Sequence, residues 1–190
     1  IEFDIEEVAP AKKFSWGKCK LATAAFGHGI STTALQVAKG YAIISNGGFE
    51  IKPTLVKKNF KTESRKKILN EDVSKQMNEI LRKIVSTETG TAGFANVPGY
   101  EIGGKTGTAE KTTVGGYSKA KVNTFTAVFP ASKPKYVLLV LLDEPKISKD
   151  YIYKYRNKAG SYKGTPFNTA GWTSVEIVGK IIEKIGPILA

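Results

Sequence analysis

Histidine, cysteine and methionine each occur once in this chain, as His28, Cys19 and Met77, and arginine only three times, as Arg65, Arg82 and Arg156. A single histidine excludes a His-based catalytic triad and any multi-histidine metal centre. A single cysteine cannot close an internal disulfide, which fits either redox compartment. Long apolar runs are also missing. The longest is Val137-Leu138-Leu139-Val140-Leu141-Leu142, far short of the roughly 20 residues that a membrane-spanning helix needs. The chain opens on Ile1-Glu2 rather than Met, as expected of a processed or excised portion of a longer protein.

What is abundant is lysine. The formal net charge is +12, which raises the question of nucleic acid, because cations that neutralise phosphates release counterions. The scarcity of arginine argues against that reading, since base and bidentate phosphate recognition lean on the guanidinium fork. The lysines are spread over nearly every segment rather than gathered in a patch. Such a surface still favours an anionic envelope. At 41% hydrophobic and 24% charged over 190 residues, the composition is that of one globular domain with a sizeable core.

The first 20 residues lack a clear period and read as irregular, with a short strand at residues 1–5. Gly27-His28-Gly29 makes a bend before Ser31-Thr32-Thr33, which can cap a helix carrying Leu35, Ala38, Ala42 and Ile43 and ending at Asn46-Gly47-Gly48. His28 reads as scaffold. An extended segment broken by Pro53 and a lysine-rich loop lead to a second helix from near Asn70 to before Thr89-Gly90. Its predicted inner face is Val73, Met77, Ile80, Leu81, Ile84 and Val85. Residues 111–121 read as a polar, mobile loop. Strands over residues 123–129 and 135–142, joined by the turn Pro130-Ala131-Ser132-Lys133-Pro134, are predicted to be antiparallel neighbours. The second of them, apolar on both faces, is central or covered by helices. Residues 146–163 read as a surface insertion. A terminal helix bearing Trp172, Val175, Val178, Ile181, Ile182 and Ile185 is predicted to pack across the sheet and to stop at Gly186-Pro187.

The stretch with the clearest chemistry is Gly103-Gly104-Lys105-Thr106-Gly107-Thr108-Ala109-Glu110. The turn Val97-Pro98-Gly99-Tyr100 launches it through an extended Glu101-Ile102. The glycines leave no side chain to bar an approaching backbone, which suits an edge strand that accepts a peptide as an added strand. Lys105 sets a cation beside such a peptide. The hydroxyls of Thr106 and Thr108 can bind a terminal carboxylate, and the Thr108 N–H can face a developing oxyanion. Alternation puts Lys105 and Gly107 on one face and the two threonines on the other, so which hydroxyl reaches the carboxylate stays open.

Lys-Thr-Gly alone is a weak string. In the context VPGYEIGGKTGTAEK, with the strands at Phe125 and Tyr136 behind it and Phe26-Gly27-His28-Gly29-Ile30-Ser31 upstream, most of the chain resembles the C-terminal part of a class B penicillin-binding protein. These are the D,D-transpeptidases that cross-link peptidoglycan. Asp143-Glu144-Pro145 and Thr169-Ala170-Gly171-Trp172 resemble the division-specific FtsI type.

The resemblance implies an α+β fold, an antiparallel sheet flanked by helices, with residues 1–190 forming the C-terminal portion of a single penicillin-binding transpeptidase domain of the serine β-lactamase/D,D-peptidase type. It implies acyl transfer from D-Ala-D-Ala stem peptides by a serine that β-lactams trap. It makes Lys105 the electrostatic and proton-relay residue, Thr106 and Thr108 the carboxylate binders, and Gly107 the clearance residue. Metal and cofactor are not expected. The implied partners are peptidoglycan stem peptides, β-lactam antibiotics and divisome membrane proteins, with no nucleic acid. The implied location is the periplasmic face of the bacterial inner membrane, with an anchor outside this chain.

The family nucleophile, a Ser-x-x-Lys pair on a helix, has three string matches here, at Ser15, Ser64 and Ser118. All three are read as chance. Gly17 disfavours a helix at the first, and the other two fall in polar connecting segments. Tyr155-Arg156-Asn157 matches a variant of the family's second motif, but it follows the Lys-Thr-Gly strand where the motif should precede it. The expectation is therefore a portion inactive by itself. A serine β-lactamase would carry its nucleophile on the same chain. The rival reading is a non-catalytic module that binds a wall peptide or a divisome protein.

Overall fold

The computed structural model describes residues 18–27, 32–55, 66–114, 116–164 and 167–189. The strand expected at residues 1–5, His28, and the serines Ser15 and Ser64 lie outside them. In chain order the elements are α1 (Lys18–Ala24), α2 (Ala34–Ser45), α3 (Glu71–Ser86), a single 3-10 turn (Gly93–Ala95), β1 (Gly103–Thr113), β2 (Gly116–Phe129), β3 (Tyr136–Asp143), β4 (Ile152–Lys154), β5 (Ser161–Lys163) and α4 (Ser174–Leu189). No helix among the described residues is long and apolar enough to cross a membrane.

Strands β1, β2 and β3 form one antiparallel sheet in that order, with Lys105 opposite Thr126, Thr108 opposite Asn123, and Thr126 opposite Leu139. β2 is the middle strand and is covered on both faces, since Phe125 and Ala127 are buried and so are the alternate residues Thr126 and Val128. The Phe125 face joins a core with Val175, Val178 and Ile182 of α4. Each such fully buried side chain contributes roughly 1.5–3 kcal/mol. β3 pairs with β2 alone among the described residues; α2 and α4 both pack on it, but none of its residues is buried and Leu141 is 48% exposed, so the expectation of a central or covered strand is only partly met.

Helix α2 begins and ends where its caps dictate. Thr33 and Gln36 close a reciprocal capping box at the start of α2, and Gly47 and Gly48 take positive φ just past its end. The inner face of α3 is rotated from the expected one. Ser74, Leu81 and Val85 are buried, whereas Val73 and Ile80 are 43% and 50% exposed. The reason is polar: Ser74 Oγ donates to Ile44 O and accepts from Gly47 N, and Asn78 Nδ2 donates to Ser45 O. Orphan groups at the C-terminus of α2 are thus satisfied by α3, and an apolar count is blind to that demand.

Four further expectations are corrected. Residues 111–114 and 116–121 form the outer part of a β1–β2 hairpin, not a loop: after an irregularity past Glu110 the ladder resumes at Thr112 opposite Tyr117 and runs to Thr113 opposite Gly116. Lys111 Nζ fastens it to Asp143 and Glu144 at 2.8 and 2.7 Å, and those carboxylates raise the lysine pKa. Glu101 takes a left-handed φ of 45° and its carbonyl accepts from Ala131 N, so the strand starts at Gly103 instead of extending back through Glu101-Ile102. Helix α4 runs through Gly186-Pro187 to Leu189. A Cβ at Gly186 would collide with the Tyr100 ring, so that glycine serves close packing rather than termination.

The fourth correction concerns residues 146–163, which contain a small hairpin packed into the domain. Tyr153 is buried, and Tyr153, Tyr155 and Trp172 gather round Phe94 with ring centroids 4.8–5.3 Å apart. In Tyr155-Arg156-Asn157 the arginine is structural. Its Nη1 donates to Phe94 O and lies 2.8 Å from Glu176, and its Nε lies 2.8 Å from Glu183. Burial opposes the charge of Arg156, but the two carboxylates outweigh it and raise its pKa. Glu176 is itself buried and accepts from Tyr151 OH at 2.7 Å.

Breaking this pair from one side strands the other charge. Arg156→Met is expected to lower the unfolding free energy by about 3 kcal/mol in a urea titration, whereas Arg156→Met with Glu176→Leu recovers most of the loss.

Candidate substrate-binding strand

β1 is one edge of the sheet, and no strand pairs with its other side among the described residues. Its start is fixed by close packing. A Cβ on Gly103 would come within 3.0 Å of Arg82 N, and one on Gly104 within 2.6 Å of the Phe125 ring and Thr126 O. These two glycines therefore clear α3 and the core rather than an incoming ligand. Arg82 anchors the same end through Ile102 O and Asn96 Oδ1 at 2.7 and 3.1 Å. Burial pulls its pKa below the ordinary value, partly offset by Glu101.

Lys105, Thr106, Gly107 and Thr108 are brought together on this strand. The Lys105 ammonium is exposed and donates to Thr106 O at 2.7 Å. On the pairing side, Thr124 Oγ1 of β2 donates to Gly107 O at 3.4 Å. Successive residues of a strand turn their N–H and C=O to opposite edges, so the backbone groups of Thr106 and Thr108 point to the open edge. A chain laid along that edge meets the Thr108 N–H and the Lys105 ammonium together.

The two threonine side chains lie on the α4 face, and each has a partner behind it. Thr108 Oγ1 accepts from Ala170 N at 3.0 Å, and Thr106 Oγ1 lies 3.2 Å from Thr91 Oγ1. Asn123, fully buried opposite Thr108, holds the same connection by donating to Asn168 Oδ1 and Thr173 Oγ1 at 2.9 and 3.0 Å. Thr91 lines a cleft of about 420 Å³ shared with Thr87, Glu88, Tyr155, Lys158 and Trp172. Thr91, Asn123 and Ala170 were not legible as site residues. Thr91 stood in a Thr-Gly-Thr-Ala string read only as a bend, and the other two come from segments distant in sequence.

Of the serine strings, Ser118 and Lys121 both lie on β2, a strand rather than a connecting segment. Three residues apart on a strand, they point to opposite faces, not along one helical turn.

The family model described as "Penicillin binding protein transpeptidase domain" matches residues 2–167. The "Probable peptidoglycan D,D-transpeptidase FtsI" of Caulobacter vibrioides is 34% identical over 97% of this chain and 31% of its own length. Stage V sporulation protein D of Bacillus subtilis is 34% identical over 77% of this chain and 23% of its own. Among solved structures, the apo transpeptidase domain of Burkholderia pseudomallei penicillin-binding protein 3 superposes with a TM-score of 0.74 at 25% identity, covering 92% of this chain and 48% of that one. Penicillin-binding protein 3 of Mycobacterium tuberculosis, solved with aztreonam, shares the fold at a TM-score of 0.68 and 24% identity, over 90% of this chain and 39% of that one. The chain thus spans under half the length of these relatives, and by its family match and its relatives it belongs to the penicillin-binding protein transpeptidase domain family, of the FtsI and penicillin-binding protein 3 kind.

Proposed function

We propose that this chain is the substrate-holding, C-terminal portion of a peptidoglycan D,D-transpeptidase domain that acts in septal wall synthesis. In that reaction a serine oxygen attacks the carbonyl carbon between the last two D-alanines of a stem peptide. The C–N bond breaks, the terminal D-alanine leaves with a proton, and an amine of a neighbouring stem peptide then displaces the serine. The observation that carries the reading is the open edge of β1, where the Lys105 ammonium and the outward backbone of Thr106 and Thr108 converge. The stem peptide adds as a strand. The Thr108 N–H donates to the developing oxyanion, Lys105 assists the proton transfers, and Thr106 and Thr108 receive the terminal carboxylate; the proposed clearance at Gly107 serves first Thr124 Oγ1 of β2, which a Cβ there would meet at 2.5 Å.

The serine belongs, on this reading, to a part of the parental protein that these residues do not supply. β-Lactams, which mimic the D-Ala-D-Ala end, are the proposed inhibitors, and aztreonam in the Mycobacterium tuberculosis structure supports that. The proposed setting is the periplasmic face of the inner membrane, beside divisome membrane proteins. The rival reading is a wall-peptide or divisome-binding module without chemistry; the strand geometry of Ser118 and Lys121 fits it as well as the first.

Labelled-penicillin acylation of the complete parental protein separates the two, because only an enzyme acquires the label. In that protein Lys105→Ala is expected to slow acylation at least about 100-fold, the scale of one preorganised electrostatic or proton-transfer group. Lys111→Ala, whose ammonium is already engaged on the hairpin, leaves the rate within about threefold on the same argument. Equal rates for Lys105→Ala and the parent remove the strand from the mechanism. The 190-residue chain by itself is expected to show no mass increase after incubation with a β-lactam, and an adduct mapped to Ser15, Ser64 or Ser118 counts against the assignment of the nucleophile elsewhere.

A further inference from the structure

Thr91 lies off the Lys-Thr-Gly strand, yet its hydroxyl sits 3.2 Å from the Thr106 hydroxyl. The turn that carries it is held from two directions. Gly90 N donates to Thr87 O and Ala92 N to Ile84 O, tying the turn to the end of α3. On the other side, a Cβ on Gly171 would come within 2.8 Å of Thr91 O, so the segment before α4 packs backbone to backbone against it.

A hydroxyl has one proton to give and two lone pairs to receive with. At Thr108 the Ala170 N–H fills one lone pair, which leaves the Thr108 proton to donate outward. At Thr106 the partner is a second hydroxyl, and either oxygen can donate. When an anion takes the proton of Thr106, the contact with Thr91 persists only with Thr91 as donor. Both threonines then present outward protons, each backed by a donor from behind, some 7 Å apart along one face of the strand. Charge-assisted bonds of this sort strengthen when the donor is itself polarised by a second donor.

We propose that Thr91 is a positioning residue for carboxylate recognition: it donates to Thr106 and so commits the Thr106 proton to the terminal carboxylate of a bound peptide. This inference rests on the reading of β1 as the peptide-holding strand. It also makes the two threonines act as a pair, each held by a different segment of the chain.

The test uses the chain labelled with 15N and two probes, diacetyl-Lys-D-Ala-D-Ala and the same peptide with a C-terminal amide, followed by amide shifts at residues 105–109. The free-acid peptide is expected to shift these signals and to bind more tightly than the amide. Thr91→Val weakens the free acid about fivefold, the scale of one hydrogen bond, and leaves the amide unchanged. Thr91→Ser restores the difference. Thr91→Ala repeats the loss should the valine variant lose its dispersed spectrum. Retention of full free-acid affinity in both Thr91→Val and Thr91→Ala overturns the proposal, as does an equal loss for acid and amide, which marks a merely structural role. No shift at residues 105–109 of the unsubstituted chain with either peptide overturns instead the reading of the strand itself, and the role of Thr91 with it.

Discussion

The pairing of β1 with β2 is the interaction on which everything else in the site depends. Its register sets Lys105 opposite Thr126 and Thr108 opposite Asn123, and a slip of one residue would exchange the faces of every side chain on the strand. Two features on opposite flanks hold the register. Gly104 lies so close over the Phe125 ring that no other residue fits there, and Thr124 Oγ1 reaches Gly107 O on the other face. Because Phe125 is itself wholly buried among α4 side chains, the core of the domain and the alignment of its open edge are fixed together.

Much of the fold was legible because its signals are local. The capping residues around α2, the Pro130–Pro134 turn between β2 and β3, and the apolar run of β3 each carry their own boundary. What was not legible depends on partners far away in the chain. Ser74 faces inward because α2 ends against it, and Arg156 is buried because Glu176 and Glu183 meet it from α4. One signal in the insertion is local. Tyr151, Tyr153 and Tyr155 alternate, and a period of two in aromatic residues marks one face of a packed strand rather than a solvated insertion.

The site divides in the same way. The strand and its lysine could be read from one string of residues, since alternation and edge chemistry are properties of a single segment. The groups that stand behind the threonines could not, because Thr91, Asn123 and Ala170 reach β1 from three other segments. A string reports which side chains can touch a ligand. It is silent on what holds each hydroxyl in place.

That division has a physical consequence for how the strand is held. An edge strand with one side open has half of its backbone groups unpartnered and is prone to fray. Here the supports attach at separate points along its length: Arg82 at the start through Ile102 O, Ala170 near the middle through Thr108, and Lys111 farther on through Asp143 and Glu144. None of them pairs with the open side of Thr106 or Thr108. The restraint comes from α3, from the segment before α4 and from the end of β3, so the edge is kept straight while the Thr108 backbone stays available and Thr106 O meets only the Lys105 ammonium. A strand that has already given up its conformational freedom charges an incoming peptide only for the peptide's own ordering, and that is the arrangement an edge needs if binding is to rest on main-chain hydrogen bonds.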